Sequence, residues 1–235
     1  MTGQLPLALR YPPDQRFESF VGAGANDAAV AQLRTLAEGT GTDDKLYLAG
    51  AGGVGKTHLL LAACAHADAA GRRAAYLPLA TASGRLRDAL DALDGYDLLA
   101  LDGLDAVAGH RDDELALFDA HNRVHDAGGA LLYSARAMPD ALPLLLPDLH
   151  SRLSQCTRIV LEPLDDDGRR EVLRLRAARR GLQLEDAALD WLLRRVGRDL
   201  ANLTALLDTL DRASLAAQRR ITVPFLRQTL GPDIA

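Results

Sequence analysis

Residues 50–57 read Gly50-Ala51-Gly52-Gly53-Val54-Gly55-Lys56-Thr57 and fit the pattern G-x-x-x-x-G-K-[ST], between an apolar strand-like run and a helix-like one. Such a turn is built to hold phosphate. Gly50, Gly52, Gly53 and Gly55, with Val54 among them, let the backbone wrap until its N–H groups point at phosphate oxygens at a helix N-terminus. Lys56 adds charge at the β and γ phosphates, and the Thr57 hydroxyl can ligate Mg²⁺. A metal-holding carboxylate must stand nearby. Asp102 ends the run YDLLALD, at the carboxyl edge of a buried strand, where open parallel sheets bind ligands. Hydrolytic proteins of this class usually carry an acidic residue directly after that aspartate, and here the position is Gly103. Asp105 is either its displaced substitute or a plain loop residue. Ser134, in LLYSARAMP, ends another strand at the same edge, where it would touch a γ-phosphate or its attacking water, or act only as a cap. His121 and His125 have the i, i+4 spacing of a metal pair, but HNRVH lacks the glutamate of the zinc-protease motif and offers no third ligand. A solvated helix face is the simpler reading.

The elements that must position these groups alternate. Short apolar runs at 45–50, 74–80, 96–102, 129–135 and 157–163 are near-continuous, as in strands covered on both faces of a parallel sheet. Between them, residues 26–37, 55–70, 82–93 and 112–126 carry Ala and Leu at helical spacing. After Pro163 the pattern changes to amphipathic segments at 164–181, 184–197 and 198–220, then a short tail at 221–230. Acidic residues open the first two and Arg closes them, as helix dipoles favour. Residues 1–20, with Pro6, Pro12 and Pro13, show no periodicity and read as an extended arm.

Composition narrows the function classes. The 235 residues are 48% apolar, enough for a real core, and the formal net charge of −5 argues against coating nucleic acid by electrostatics alone. Residues 165–235 carry 13 Arg and no Lys against 11 acidic residues, a small excess that solvated helix faces explain. Cys64 and Cys156 have neither disulfide-framework nor zinc spacing, which suits a reducing cytosol. No signal-like leader or membrane-length apolar run is expected.

Taken in order, FESFVGAGAND, GAGGVGKTHLL, LDGLDAVAG, LLYSARAMP, LPDLHSRLS and GRDLANLTALLDTLDRASLAAQRR resemble the DnaA-related AAA+ ATPase family over essentially the whole chain. Within it they are most similar to the Hda group, shortened relatives of the replication initiator that inactivate DnaA. The resemblance implies an α/β fold: an AAA+ phosphate-loop base domain with a parallel five-stranded sheet over 21–163, then a small all-helical lid over 164–235. It also implies an arm over 1–20 in which QLPLAL looks like the family's peptide for the DNA polymerase III sliding clamp, with Gln4 as polar anchor and Leu5, Leu7 and Leu9 as apolar ones. Arg152, in LPDLHSRLS, matches the arginine finger that acts on a neighbour's nucleotide. Arg198, in GRDLANL, matches the sensor-2 arginine that touches the chain's own nucleotide. Val21 and Asn26 lie where the family packs adenine.

What the resemblance implies for function is a nucleotide-gated adaptor, holding ADP or ATP with Mg²⁺. Bound to the clamp, it would stimulate hydrolysis of DnaA-bound ATP, with weak or absent ATPase of its own. DnaA and the clamp would be its partners, DNA would be met only through the clamp, no membrane would be involved, and homo-oligomerisation is left open. Its place would be the cytoplasm, associated with the nucleoid through the clamp. A DNA-binding initiator would need a basic helix pair after the lid, which is not expected here. A self-sufficient AAA+ ATPase such as a helicase loader is the alternative; it would use Asp105 to orient water and need no clamp.

Overall fold

The structure is a computed structural model that describes residues 11–12, 14–22, 24, 26–195, 206–207, 209–213 and 221–230. Two compact units form. The first comprises residues up to Ser19, Ala29–Ala49 and Lys56–Val160; the second comprises Phe20–Ala28, Gly50–Gly55 and the chain from Leu161 on.

The first unit is built on five parallel strands, β1 (Lys45–Ala49), β2 (Ala74–Pro78), β3 (Leu98–Asp102), β4 (Ala130–Ala135) and β5 (Thr157–Val160), in the order β2-β3-β4-β1-β5. All five lie where the apolar runs predict them. The near-continuous burial of β1, β3 and β4 follows from coverage of both faces. Helix α1 (Asp27–Glu38) precedes β1, and α2 (Lys56–Ala69), α3 (Leu79–Ala82), α4 (Leu86–Asp91), α5 (Arg111–Asp126) and α6 (Pro147–Ser154) fill the connections between strands. The helix expected at 82–93 is the shorter α4, because Gly84 turns the chain at φ +78°, and the end of the run expected as strand at 74–80 enters α3. Asp113 at the start of α5 accepts the Gly84 N–H at 3.0 Å and holds that break. Side chains from the strands, α4, α5 and α6, such as Leu86, Leu99, Leu117, Tyr133 and Leu153, share one core.

Part of the expected arm belongs to this unit. Phe17 is buried in a short turn at Phe17–Ser19, and the buried Tyr11 hydroxyl donates to the Ala74 carbonyl at 2.8 Å. Residues 1–10 lie outside the described residues.

In the second unit, α7 (Asp166–Arg179) opens on an Asp165 cap that accepts the Gly168 N–H at 2.8 Å. Next come α8 (Asp186–Arg195) and α9 (Val223–Leu230). Residues 221–230 differ from the tail expected of them. Ile221 bridges to Leu184, and Phe225 and Leu226 of α9 join Leu173, Leu189 and Leu192 in a second core. The helical period there was hidden by Pro224, which is tolerated in a first helical turn because the N–H it lacks has no intrahelical partner. Among the described residues no helix is long and apolar enough to cross a membrane.

Candidate functional site

The strand register sets one edge of the sheet. Leu48 pairs with Ser134 and Leu101 with Tyr133, so Leu48, Ser134 and Asp102 lie level at the carboxyl edge. There, Asp102 is the centre of a hydroxyl cluster. Thr57 Oγ1 donates to its Oδ2 at 2.7 Å, the Tyr76 hydroxyl donates to the same oxygen at 2.8 Å, and Ser134 Oγ donates to Oδ1. Ser134 is fully buried and its Oγ also accepts the Gly103 N–H at 2.9 Å. Its hydroxyl therefore holds Asp102 and the turn after β3. Lys56, half-buried at the start of α2, has its ammonium pKa pushed down by burial, while Asp102 and Asp105 pull it back up. It stands where a charged phosphate would restore the favourable balance.

The phosphate loop itself, Gly50–Gly55, belongs to the second unit. Gly53 and Gly55 have φ of +77° and +102°, the left-handed region that side chains resist. A Cβ on Gly55 would lie 2.7 Å from the Phe20 ring, so this glycine is required twice over. Gly52 faces open space and is exposed. Val54 is buried, anchoring the loop from within.

Asn26 is 2% exposed and uses both ends of its amide on one residue: Nδ2 donates to the Glu162 carbonyl and Oδ1 accepts the Glu162 N–H, each at 3.0 Å. It ties two backbone segments together. Val21 is half-buried. Arg198 and the peptide residues Gln4, Leu5, Leu7 and Leu9 lie outside the described residues.

Beyond the carboxyl edge, the turn after β3 explains Gly103 and Asp105. Gly103 adopts φ +83° and precedes a short helical turn at Leu104–Ala106. The Asp105 carboxylate accepts the Arg136 N–H at 2.9 Å, bracing the loop that follows β4. Its plain loop role is the one seen here.

Arg152 stands at the other edge of the same unit. Lys45 begins β1 and Thr157 begins β5, one register step apart across Leu46. Both line a cavity of about 220 Å³ together with Asp44, His121, His125, Arg152 and Gln155. A five-residue strand such as β1 spans about 16 Å at ~3.3 Å per residue, so a strand length separates Arg152 from Thr57 and Asp102. Among the described residues nothing forms a hydrogen bond or ion pair with its guanidinium. The buried Glu114 accepts the N–H of Gly109, just before α5, and those of Leu145 and Leu146, just before α6, at 2.7 to 2.8 Å, and so holds the start of α6 in place. His121 Nδ1 shares a hydrogen bond of 2.9 Å with the Tyr133 hydroxyl, and His125 lies 3.7 Å from Asp44, so the pair divides between a buried partner and a surface carboxylate.

Tyr76, Phe20 and Glu114 were not legible as site residues. Each sits in a run whose period signals only core or helix, and their partners are far away in sequence.

The comparisons with known proteins agree with this geometry. Residues 12–159 match the bacterial DnaA ATPase domain, and residues 166–230 match the lid domain of Hda. Among solved structures, domain III of the Thermotoga maritima replication initiation protein DnaA is 22% identical, with a TM-score of 0.81, covering 94% of this chain and 99% of that one. AMPPCP-bound DnaA from Aquifex aeolicus is 21% identical with a TM-score of 0.72, covering 87% and 67%. The Thermotoga maritima RuvB Holliday junction branch migration motor is 17% identical with a TM-score of 0.69, covering 94% and 72%. At these identities the likeness to solved structures is one of fold. The family matches go further: the chain belongs to the bacterial DnaA ATPase domain family, as an Hda-like, DnaA-related AAA+ protein with a five-stranded α/β base and a helical lid.

Proposed function

We propose that the chain is a nucleotide-gated adaptor that stimulates hydrolysis of ATP bound to DnaA and so restrains replication initiation. The observation that carries this reading is the position of Arg152, a strand length from the chain's own Thr57 and Asp102 and at the mouth of a cavity. A guanidinium so placed is out of reach of its own nucleotide and available to a neighbour's, where it would offset charge on the transferring phosphoryl group. The nucleotide in this chain, ADP or ATP, would lie on the phosphate loop, with Lys56 on its phosphates. The AMPPCP-bound Aquifex aeolicus DnaA supports an adenine nucleotide. Mg²⁺, a hard cation that takes oxygen ligands, suits Thr57 and Asp102, whose oxygens already meet at 2.7 Å. Bound there, it would supply charge neutralisation at the phosphates.

Gly103 and the engaged Asp105 support a slow ATPase, because neither presents a carboxylate to an attacking water. Through Gln4, Leu5, Leu7 and Leu9 the chain would dock on the sliding clamp and meet DNA only there. The rival reading, a self-sufficient ATPase, needs a water-orienting group that the turn after β3 does not offer.

The test uses DnaA preloaded with radiolabelled ATP, clamp on DNA, and this protein. Arg152→Ala should slow hydrolysis on DnaA by about 10³-fold or more, the scale of a lost arginine finger, while leaving folding and ADP binding intact. A variant as active as wild type would overturn the trans-finger reading.

A further inference from the structure

Three hydroxyl groups already occupy the carboxylate that Mg²⁺ would need. An ionised carboxylate has about four lone-pair positions, two on each oxygen. Thr57 Oγ1 at 2.7 Å and the Tyr76 hydroxyl at 2.8 Å take both positions on Asp102 Oδ2, and Ser134 Oγ takes one on Oδ1. These donors are not equally able to yield. Thr57 is itself one of the two residues whose oxygens suit the metal, so its hydroxyl has a task whether or not a metal is bound. Ser134 is fully buried and also accepts the Gly103 N–H at 2.9 Å, so moving it would unpin the turn after β3. Tyr76 is only partly buried and reaches Asp102 from the neighbouring strand. Pro78 of β2 pairs with Asp102 of β3, and side chains two residues apart share one face of a strand, so the Tyr76 ring spans the diagonal to the carboxylate.

A phenol is protonated at neutral pH and donates to a carboxylate, while a hard cation takes the same oxygen lone pairs. With both positions on Oδ2 filled, one hydroxyl must leave before that oxygen can serve a metal, and Tyr76 is the one that leaves at least cost. We propose that Tyr76 is a positioning residue that sets the Mg²⁺ dependence of the nucleotide site: it holds Asp102 in the metal's stead and weakens Mg²⁺ binding there. The inference rests on the reading that the phosphate loop holds an adenine nucleotide with Mg²⁺ at Thr57 and Asp102.

The full chain is titrated with fluorescently labelled ADP in EDTA and at a series of free Mg²⁺ concentrations, as wild type, Tyr76→Phe and Tyr76→Leu. Neither variant can donate to Asp102. Wild type should bind labelled ADP in EDTA within about tenfold of its affinity at saturating Mg²⁺, because Asp102 is already held. In both variants the half-saturating Mg²⁺ concentration should fall about tenfold, the scale of one hydrogen bond to a charged acceptor taken out of the competition. A tyrosine that only supports the fold would instead weaken ADP binding in every buffer and leave the Mg²⁺ midpoint where it is. An unchanged or raised midpoint in the variants, beside a wild type that binds ADP, overturns the proposal alone. So does a wild type whose ADP binding appears only with Mg²⁺, a result that holds even if both variants misfold. Absent ADP binding by wild type in every buffer overturns the nucleotide reading, and the proposal with it.

Discussion

A single carboxylate collects most of the chemistry at the carboxyl edge. Asp102 accepts from Thr57, Tyr76 and Ser134, so its position is fixed from three directions before any metal arrives. Preorganisation of this kind depends on each donor. Tyr76→Phe removes one bond to a charged acceptor and should cost about 1 to 2 kcal/mol, read as a thermal shift of roughly 2 to 8 °C for a chain of this size. An unchanged melting temperature would mean that the phenol contributes nothing to the edge. His121 gives a second residue-level expectation, at the opposite edge. Burial first, then the charges of Lys45, Arg152 and His125, push its pKa down to about 4, against a partial opposing pull from Asp44. Its folded-state pKa lies below that of the unfolded chain, so acid protonates the unfolded imidazole first. Stability from this group is whole above about pH 6.5, falls as the pH drops toward 4, and levels off below. At ~1.4 kcal/mol per pH unit, the loss between pH 7 and pH 5 is roughly 2 kcal/mol. Urea unfolding at the two pH values should show it as a difference between wild type and His121→Gln, the variant losing less on acidification.

At the scale of elements, the turn after β3 decides what kind of ATPase this can be. Restoring an acidic side chain beside Asp102 looks like a simple repair, but Gly103 sits at φ +83° and an L-residue there is strained by about 1 to 2 kcal/mol. Gly103→Glu should therefore lower stability by that amount in a denaturant melt without producing rapid ATP turnover, since its backbone does not aim the carboxylate where a strand residue would. Fast turnover in that variant would show that the missing acid alone limits hydrolysis. The same turn marks the boundary of what the sequence discloses. Five strands and the phosphate loop are visible because each is local: an apolar run, or a glycine pattern of fixed spacing. Ser134 and Asn26 are visible as candidates, yet their tasks are not, because a buried polar side chain is assigned by partners 32 and 136 residues away. The helix at Val223–Leu230 is missed for the opposite reason, a local signal, Pro224, that reads as a breaker inside the run and as an acceptable start at its first turn.

At the scale of the whole molecule, the phosphate loop divides the chain: Gly50–Gly55 group with the lid residues and Lys56 opens the first long helix of the sheet unit. A nucleotide held by the phosphate-loop motif should stabilise the folded chain by mass action, since the unfolded chain cannot reproduce the loop. With ADP and Mg²⁺ at about 100 times the dissociation constant, the gain is ~2.7 kcal/mol, or roughly 5 to 10 °C in the melting temperature of a chain near 235 residues. Lys56→Ala should abolish that shift. Its ligand-free melting temperature should stay close to that of wild type, because burial disfavours the ammonium while Asp102 and Asp105 favour it. The two measurements separate binding from folding: a variant that melts like ligand-free wild type and ignores ADP has lost the site alone. If ADP instead raises the melting temperature of Lys56→Ala as much as that of wild type, the nucleotide is held elsewhere, and the strand-loop-helix motif from which the functional reading starts is only a tight turn.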